Sequence, residues 1–279
     1  MSMTIDQAFI RQYESEVHTA YQRMGSKLRS TVRFRGNVQG ESSTFQVYGK
    51  GTAGQKTRHG LVPVMNIAHT NAVCTLQDRY AGEWIDDLDL LKTNIDEMQL
   101  ASEAGAAALG RDDDDKIITA LDATTTADVG VHGDGLLDRK KCLLIQENFN
   151  SASVPDDGNR FVVMPVRQWS AMLQISEFAN ADFTGDQRPF MAFGDHRYWL
   201  GIHWMYHEEL PRKGTATADC FCYHRRAVGF ASGSDIKTDI TWENPHSAFF
   251  QNSRNSAGAV IIDATAVFKA AVDDTVALT

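Results

Sequence analysis

The stretch WIDDLDLLKTNIDEMQLASEAGAAAL, Trp84 to Leu109, decides the reading of the fold. Apolar side chains fall at Trp84, Leu88, Leu91, Ile95 and Met98, and Ala101, Ala108 and Leu109 continue the row. Steps of three and four put them on one face of an α-helix. Gly105 shares that face and leaves a gap where a neighbour can approach. Asp86, Asp87, Asp96, Glu97 and Glu103 occupy the other face. About 25 residues at 1.5 Å each span roughly 37 Å, against an average helix of about 11–12 residues. Gly110 is expected to end or break the helix. Ile117, Ile118 and Leu121 resume the apolar face beyond Asp112–Asp115, which are expected to form a solvated turn. Such a helix suits the backbone of an extended molecule better than the wall of a compact pocket.

The chain has 279 residues, 43% of them hydrophobic, and a net charge of −9. It can bury a core. The negative charge argues against tight nucleic-acid binding by the fold as a whole and leaves room for weak contact through a local basic patch. Cys74, Cys142, Cys220 and Cys222 are too scattered for a disulfide framework. No apolar run reaches the ~20 residues of a membrane span, and the N-terminus lacks the apolar core of a signal peptide. A protein made in a reducing compartment is expected.

Working outward, residues 1–29 read as a polar amphipathic helix through Ile5, Phe9, Ile10, Tyr13 and Val17. Val32 and Phe34 alternate with Thr31, Arg33 and Arg35, as a half-exposed strand does, and Phe45 and Val47 alternate again. The segment GKGTAGQKTRHG, Gly49 to Gly60, cannot pack a core of its own. Val62, Val64, Val73 and Leu76 return as strand material. This is a protruding hairpin with legs of ~15 residues, each extending ~50 Å. Its edges invite pairing unless a neighbour covers them. Residues 122–135 are a turn-rich connection. Phe161–Met164 is a buried strand, Pro165 opens a helix over Val166–Phe178, and Tyr198–Tyr206 is one apolar strand. Pro211–Gly214 turns the chain. Asp219–Phe230, Ile236–Trp242 and the segment from Gly258 to Val272 supply the closing strands.

Motifs that could carry chemistry are weak. Cys220, Cys222 and His224 share one strand face, but structural zinc sites want four ligands and turn-type spacing. Neither metal nor disulfide is expected there, because Cβ atoms must approach to about 3.5–4.5 Å for a disulfide. His203 and His207 lack the HExxH order and, on a strand, stand too far apart for one ion. Asp112–Asp115 lacks the alternation and glycine of a calcium loop. No phosphate-binding glycine motif and no nucleophile elbow is present. No catalytic, cofactor-binding or metal residue is assigned.

Taken in order, the segments resemble the major capsid proteins of tailed bacteriophages, in the short-tailed branch, with the Hong Kong 97-type fold. The resemblance is carried by TIDQAFIRQYESEVHTAYQ, the basic strand and glycine-rich loop, and Tyr80, Trp84, Asp86, Asp87 and Asp89 before the helix. LGRDDDDKIITAL, RFVVMPVRQWSAMLQ, YWLGIHWMYHEELP and the run from AVGFASGSDIKTDITW to IIDATAVFKA continue it. It implies an α+β fold with an N-terminal arm (1–30), an extended loop (31–73), a peripheral domain with the spine helix (74–130) and an axial domain (131–224). Return strands (225–256) rejoin the peripheral domain, and residues 257–279 close the axial one. It further implies hexamers and pentamers of an icosahedral shell around double-stranded DNA, assembled in the host cytoplasm. Expected partners are further copies of the chain, a separate scaffolding protein, a portal protein, weakly contacted DNA and, for some shells, a decoration protein, with no membrane and no cofactor. The capsid-like pattern begins within the first few residues, so no maturation cleavage is expected. The alternatives are an encapsulin-like compartment of the same fold and a metal-dependent hydrolase built on His203, His207 and the Cys220–His224 strand.

Charge sorts the two extended elements. From Thr31 to Gly60, Arg33, Arg35, Lys50, Lys56 and Arg58 face a single acid, Glu41, for a net +4. From Trp84 to Asp115, ten acids, Asp86, Asp87, Asp96 and Glu97 among them, outnumber Lys92 and Arg111 for a net −8. The basic loop of one subunit is expected to lie over the acidic helix of the next.

Overall fold

A computed structural model describes residues 25–90, 96–132, 134–179 and 196–278. In chain order the strands are β1 (Arg33–Arg35), β2 (Ser42–Tyr48), β3 (His69–Thr75), β4 (Gln77–Asp86), β5 (Arg160–Pro165), β6 (His196–Trp199) and β7 (Ile202–His207). They continue with β8 (Ala218–His224), β9 (Val228–Glu243), β10 (Ala248–Ile261) and β11 (Val267–Val272). The helices are α1 (Asp87–Leu90), α2 (Glu97–Asp122), α3 (Arg139–Ser151), α4 (Val166–Met172) and α5 (Ser176–Ala179). The chain divides into two compact units, and α2, β9 and β10 run from one into the other.

The larger unit holds Lys27–Gln77, Asp113–Gly233 and Ala257–Thr279. Its sheet has the order β11-β8-β5-β7-β6. β5 and β7 are parallel, and the other pairs are antiparallel. Every residue of β8 is buried, so the strand shows no alternation, as expected where both faces are covered. α3 lays Cys142, Ile145 and Phe149 into the core, and Phe149 meets Phe268 of β11 at 4.7 Å. Asp138 caps α3 by accepting a hydrogen bond from the Lys141 amide at 2.8 Å, which satisfies one of the orphan amides of the first turn. The end of α2 contributes Ile117, Ile118 and Leu121 to the same core.

In the smaller unit, Asp78–Asp112 and Ser234–Ser256 bring together the adjacent strands β9, β10 and β4 and the first part of α2. The gap expected at Gly105 is real. A Cβ there would stand 2.8 Å from the Ser253 hydroxyl and 3.0 Å from the Gln251 amide nitrogen, both on β10.

The Trp84–Leu109 helix is corrected. Trp84 lies in β4, Asp87–Leu90 form a single turn, and α2 starts only at Glu97. Pairing of β4 with β10 overrides the helical period, and the side chains of β4 are mostly exposed. The Asp96 carboxylate accepts from the Gln99 amide at 3.1 Å and sets the start of α2. Leu91 and Ile95, counted in the apolar row, lie outside the described residues. So does most of the expected N-terminal helix.

Gly110 does not stop α2, which runs on to Asp122. It is small because the Gly25 backbone passes there: a Cβ would meet Gly25 C, Cα and O at 2.7, 2.8 and 3.0 Å. Glycine to alanine inside a helix is normally worth about 1 kcal/mol of added stability. Here overpacking against backbone, about 1–3 kcal/mol, reverses the sign. Gly110→Ala is expected to lower the thermal midpoint, and a rise would contradict the close approach.

Three further expectations change. Asp113 and Asp114 are buried, not solvated. Tyr198–Tyr206 is two strands, β6 and β7, reversed at Leu200 and Gly201, whose φ values are +52° and +75°. Val166–Phe178 is two short helices and not one.

Candidate assembly surfaces

The basic hairpin starts from a seven-pair antiparallel ladder in which Ser42 faces Thr75 and Tyr48 faces His69. Beyond it the two legs stay side by side with little ladder. The Gly49 amide donates to Ala68 O at 2.8 Å, Gly51 lies against the Met65 side chain, and Gly54 against Pro63. The turn falls at Thr57–Gly60, where the Gly60 amide donates to Thr57 O at 3.0 Å and His59 adopts φ +69°. The glycines are therefore used for close approach of the legs. Lys50, Lys56 and Arg58 are exposed along them. So are Leu61 at 95%, Val62 at 71% and Val64 at 84%. The spacing of Val62 and Val64 predicts a strand, but with Leu61 they lie outside any strand as an exposed apolar run, whose only sequence signal is its place beside a segment unable to pack.

At the base of the hairpin, Arg33 and Arg35 are exposed on β1, which pairs in parallel with Gly229–Ala231 of β9. Arg35 donates to Thr44 O at 3.0 Å. A shallow groove of about 630 Å³ is lined by Val32, Arg33, Phe34, Asn159, Arg225 and Arg226. It gathers three guanidinium groups on an otherwise acidic chain.

On the acidic side, Asp86, Asp87 and Asp96 are exposed and Glu97 is half-buried. Asp86 accepts from the Leu88 amide at 2.8 Å. Of these four, only Glu97 lies within α2; Asp96 is its cap, Asp86 ends β4 and Asp87 opens α1. Of the acids counted in the helix region, Asp113 and Asp114 are spent internally. Asp114 accepts from the Lys27 and Leu28 amides at 3.1 and 3.0 Å and from His207 Nε2 at 3.2 Å. Asp112 pairs with Arg79 at 3.2 Å.

The side chains considered for metal chemistry have other work. His224 accepts from the Arg226 amide through Nδ1 and donates to Asp157 through Nε2 at 3.0 Å, so both ring nitrogens are committed. That bond is the main cause of a lowered Asp157 pKa. His203 Nε2 faces Gly158 O at 3.0 Å, and burial holds the His203 pKa below its usual value. All four cysteines are free and buried. Burial pushes the Cys142 thiol up to about 12 and those of Cys220 and Cys222 well above the ordinary value. Since the thiolate is the reactive form, DTNB at pH 8 is expected to label these cysteines only after denaturation. Rapid labelling of the native chain would contradict their placement.

Among the described residues no helix is long and apolar enough to cross a membrane. Residues 5–273 match the family model for phage capsid protein. The chain belongs to this family: it is a major capsid protein, a structural component of the icosahedral virion shell and not an enzyme. No curated protein matches it. Solved structures of similar fold include the capsid of the cyanophage P-SCSP1u, at 16% identity and a TM-score of 0.75, covering 98% of this chain and 96% of that one. The capsid of a native GTA particle matches at 14% and 0.75, with 97% of both chains covered. A chain of Mycobacterium phage Che8 matches at 17% and 0.69, covering 95% of this chain and 97% of its own. The fold is thus the α+β Hong Kong 97-type capsid fold, and the hydrolase and encapsulin alternatives fall to the family match.

Proposed function

We propose that the chain forms the hexamers and pentamers of a short-tailed phage shell that encloses double-stranded DNA, assembled on a separate scaffolding protein and closed by a portal protein. The assignment to the short-tailed branch rests on the order of the sequence motifs from the basic strand to the closing IIDATAVFKA. The basic hairpin of one subunit crosses Asp86, Asp87, Asp96 and Glu97 of its neighbour. The observation that carries this is the hairpin itself, which exposes Leu61, Val62 and Val64 beside Lys56 and Arg58. Apolar side chains held out on a two-leg projection gain stability only against a second surface, at about 25 cal/mol per Å² covered. Each exposed ion pair adds only about 0.2–1 kcal/mol, but the contact recurs in every subunit. Charge then sets the register while apolar cover supplies the affinity. The domain boundaries at 31–73, 74–130 and 131–224 follow the same reading. The Arg33, Arg225 and Arg226 groove suits weak, salt-sensitive contact with DNA phosphates.

Lys56→Glu with Arg58→Glu is expected to impair shell assembly, seen as fewer shells in negative-stain images at physiological salt, where screening acts over ~8 Å. Adding Asp86→Lys with Asp87→Lys is expected to restore part of the yield. Normal assembly of the loop double mutant would refute the charge pairing.

A further inference from the structure

We propose that Asp128, His132 and Asp219 form a binding site for a divalent transition-metal ion, with zinc as the best fit, that fastens the 122–135 connection to β8. The three donor atoms lie within 4.8 Å of one another. His132 Nε2 stands 3.6 Å from Asp128 Oδ2 and 3.6 Å from Asp219 Oδ1. Both separations are beyond hydrogen-bond length. They are close to the roughly 3.4 Å that separates ligands at tetrahedral angles around an ion with bonds of about 2.1 Å.

Asp219 stands on β8. Its side chain is 4% exposed, and its Oδ1 is buried with no hydrogen-bond partner. A buried carboxylate oxygen left this way is costly, and it is aimed at the imidazole nitrogen. The other oxygen, Oδ2, accepts from Arg212 Nη2 at 2.6 Å. Arg212 is itself held by Asp122 at 2.6 Å, so the carboxylate is fixed in orientation by an outer partner, as ligating carboxylates are.

The backbone presents the other two ligands. The Val129 amide donates to Lys269 O at 2.7 Å, and Val129 O accepts from the Ala271 amide at 3.0 Å. That adds a one-residue bridge beside β11, whose other neighbour is β8. Asp128 and His132 flank this anchor. One imidazole and two carboxylates favour a borderline ion such as zinc over magnesium or calcium, which take all-oxygen shells. His132 and Asp128 are partly open to solvent, at 37% and 38%, which leaves room for water as a fourth ligand.

The test is zinc titration of the full-length, untagged chain against a chromophoric chelator, with magnesium and calcium in parallel, followed by X-ray absorption of the zinc-loaded protein. One zinc per chain is expected, bound through nitrogen and oxygen without sulfur, with a raised thermal midpoint. His132→Ala and Asp128→Asn sit at the surface and should fold normally; each is expected to remove the stoichiometric site and the thermal shift. Arg212→Gln should weaken binding about 10- to 100-fold. The proposal is overturned if the native chain binds no zinc, if sulfur ligates it, or if His132→Ala binds as tightly as the parent.

Discussion

Asp114→Ala is expected to cost about 3–5 kcal/mol, because it takes the acceptor from three donors in a buried setting and each buried donor left unsatisfied costs about 1–3 kcal/mol. In a chain of this size that is a fall of about 10 °C in the thermal midpoint. The Asp114 and His207 side chains are both fully inaccessible to solvent. His207 Nδ1 accepts from the Glu209 amide at 3.1 Å, so Nε2 carries the proton that it donates to Asp114. Alanine removes that partner and also strips acceptors from the Lys27 and Leu28 amides. Leu28 is fully buried, so water cannot readily replace them. Asp114→Asn keeps one acceptor oxygen and should lose less. A change below about 1 kcal/mol in Asp114→Ala, near the centre of ordinary substitutions, would show that the carboxylate does not hold the segment at residues 27 and 28.

Arg160→Lys, a change that is nearly silent at most surfaces, is expected to cost about 2–4 kcal/mol, since hydrogen bonds to a charged group are worth about 1.5–3 kcal/mol each. Arg160 is 2% exposed. Its Nε donates to Pro155 O at 3.1 Å, Nη1 to Asn150 Oδ1 at 3.0 Å and Nη2 to Val154 O at 2.6 Å. The guanidinium also lies 5.4 Å from the centre of the Phe149 ring. All these groups belong to the end of α3 or the segment just beyond it, where the helix dipole presents its negative pole. A planar fork matches several acceptors at once, and an ammonium cannot. A thermal midpoint of Arg160→Lys equal to that of the parent would refute this account.

These two charges mark a limit of pattern reading. A four-aspartate run looks solvated because most such runs are, and no local signal separates Asp114 from Asp115. Its burial follows from Lys27 and His207, both remote in sequence. The Asp128, His132 and Asp219 cluster was invisible for the same reason: its members stand in a turn-rich connection and a cysteine-rich strand. Trp84 was misplaced because its spacing to Leu88 fits a helix, whereas β4 was fixed by hydrogen bonding to β10. Leu200 and Gly201 hid a reversal inside an apolar run. Glycine alone is a weak turn signal there, and the apolar residues on both sides suited one strand equally well.

Elsewhere the residues carried their own placement. The order Phe161–Met164, Pro165, Val166 produces a strand that stops and a helix that starts, because proline has a fixed φ and no amide to donate. The glycine-rich, basic segment from Gly49 to Gly60 had to project, since it contains nothing to bury. Gly105 marked a place where another chain segment comes close. The order of these motifs also implied the capsid fold that the family match established. What the sequence by itself determined, then, is whatever depends on neighbours within a turn or a strand: local period, caps, breaks, and which segments cannot form a core. Only the tertiary structure decided which charges are buried and which glycines face a backbone. Those outcomes depend on segments that meet in space, and the energy of a buried charge is set by partners the local chain does not contain.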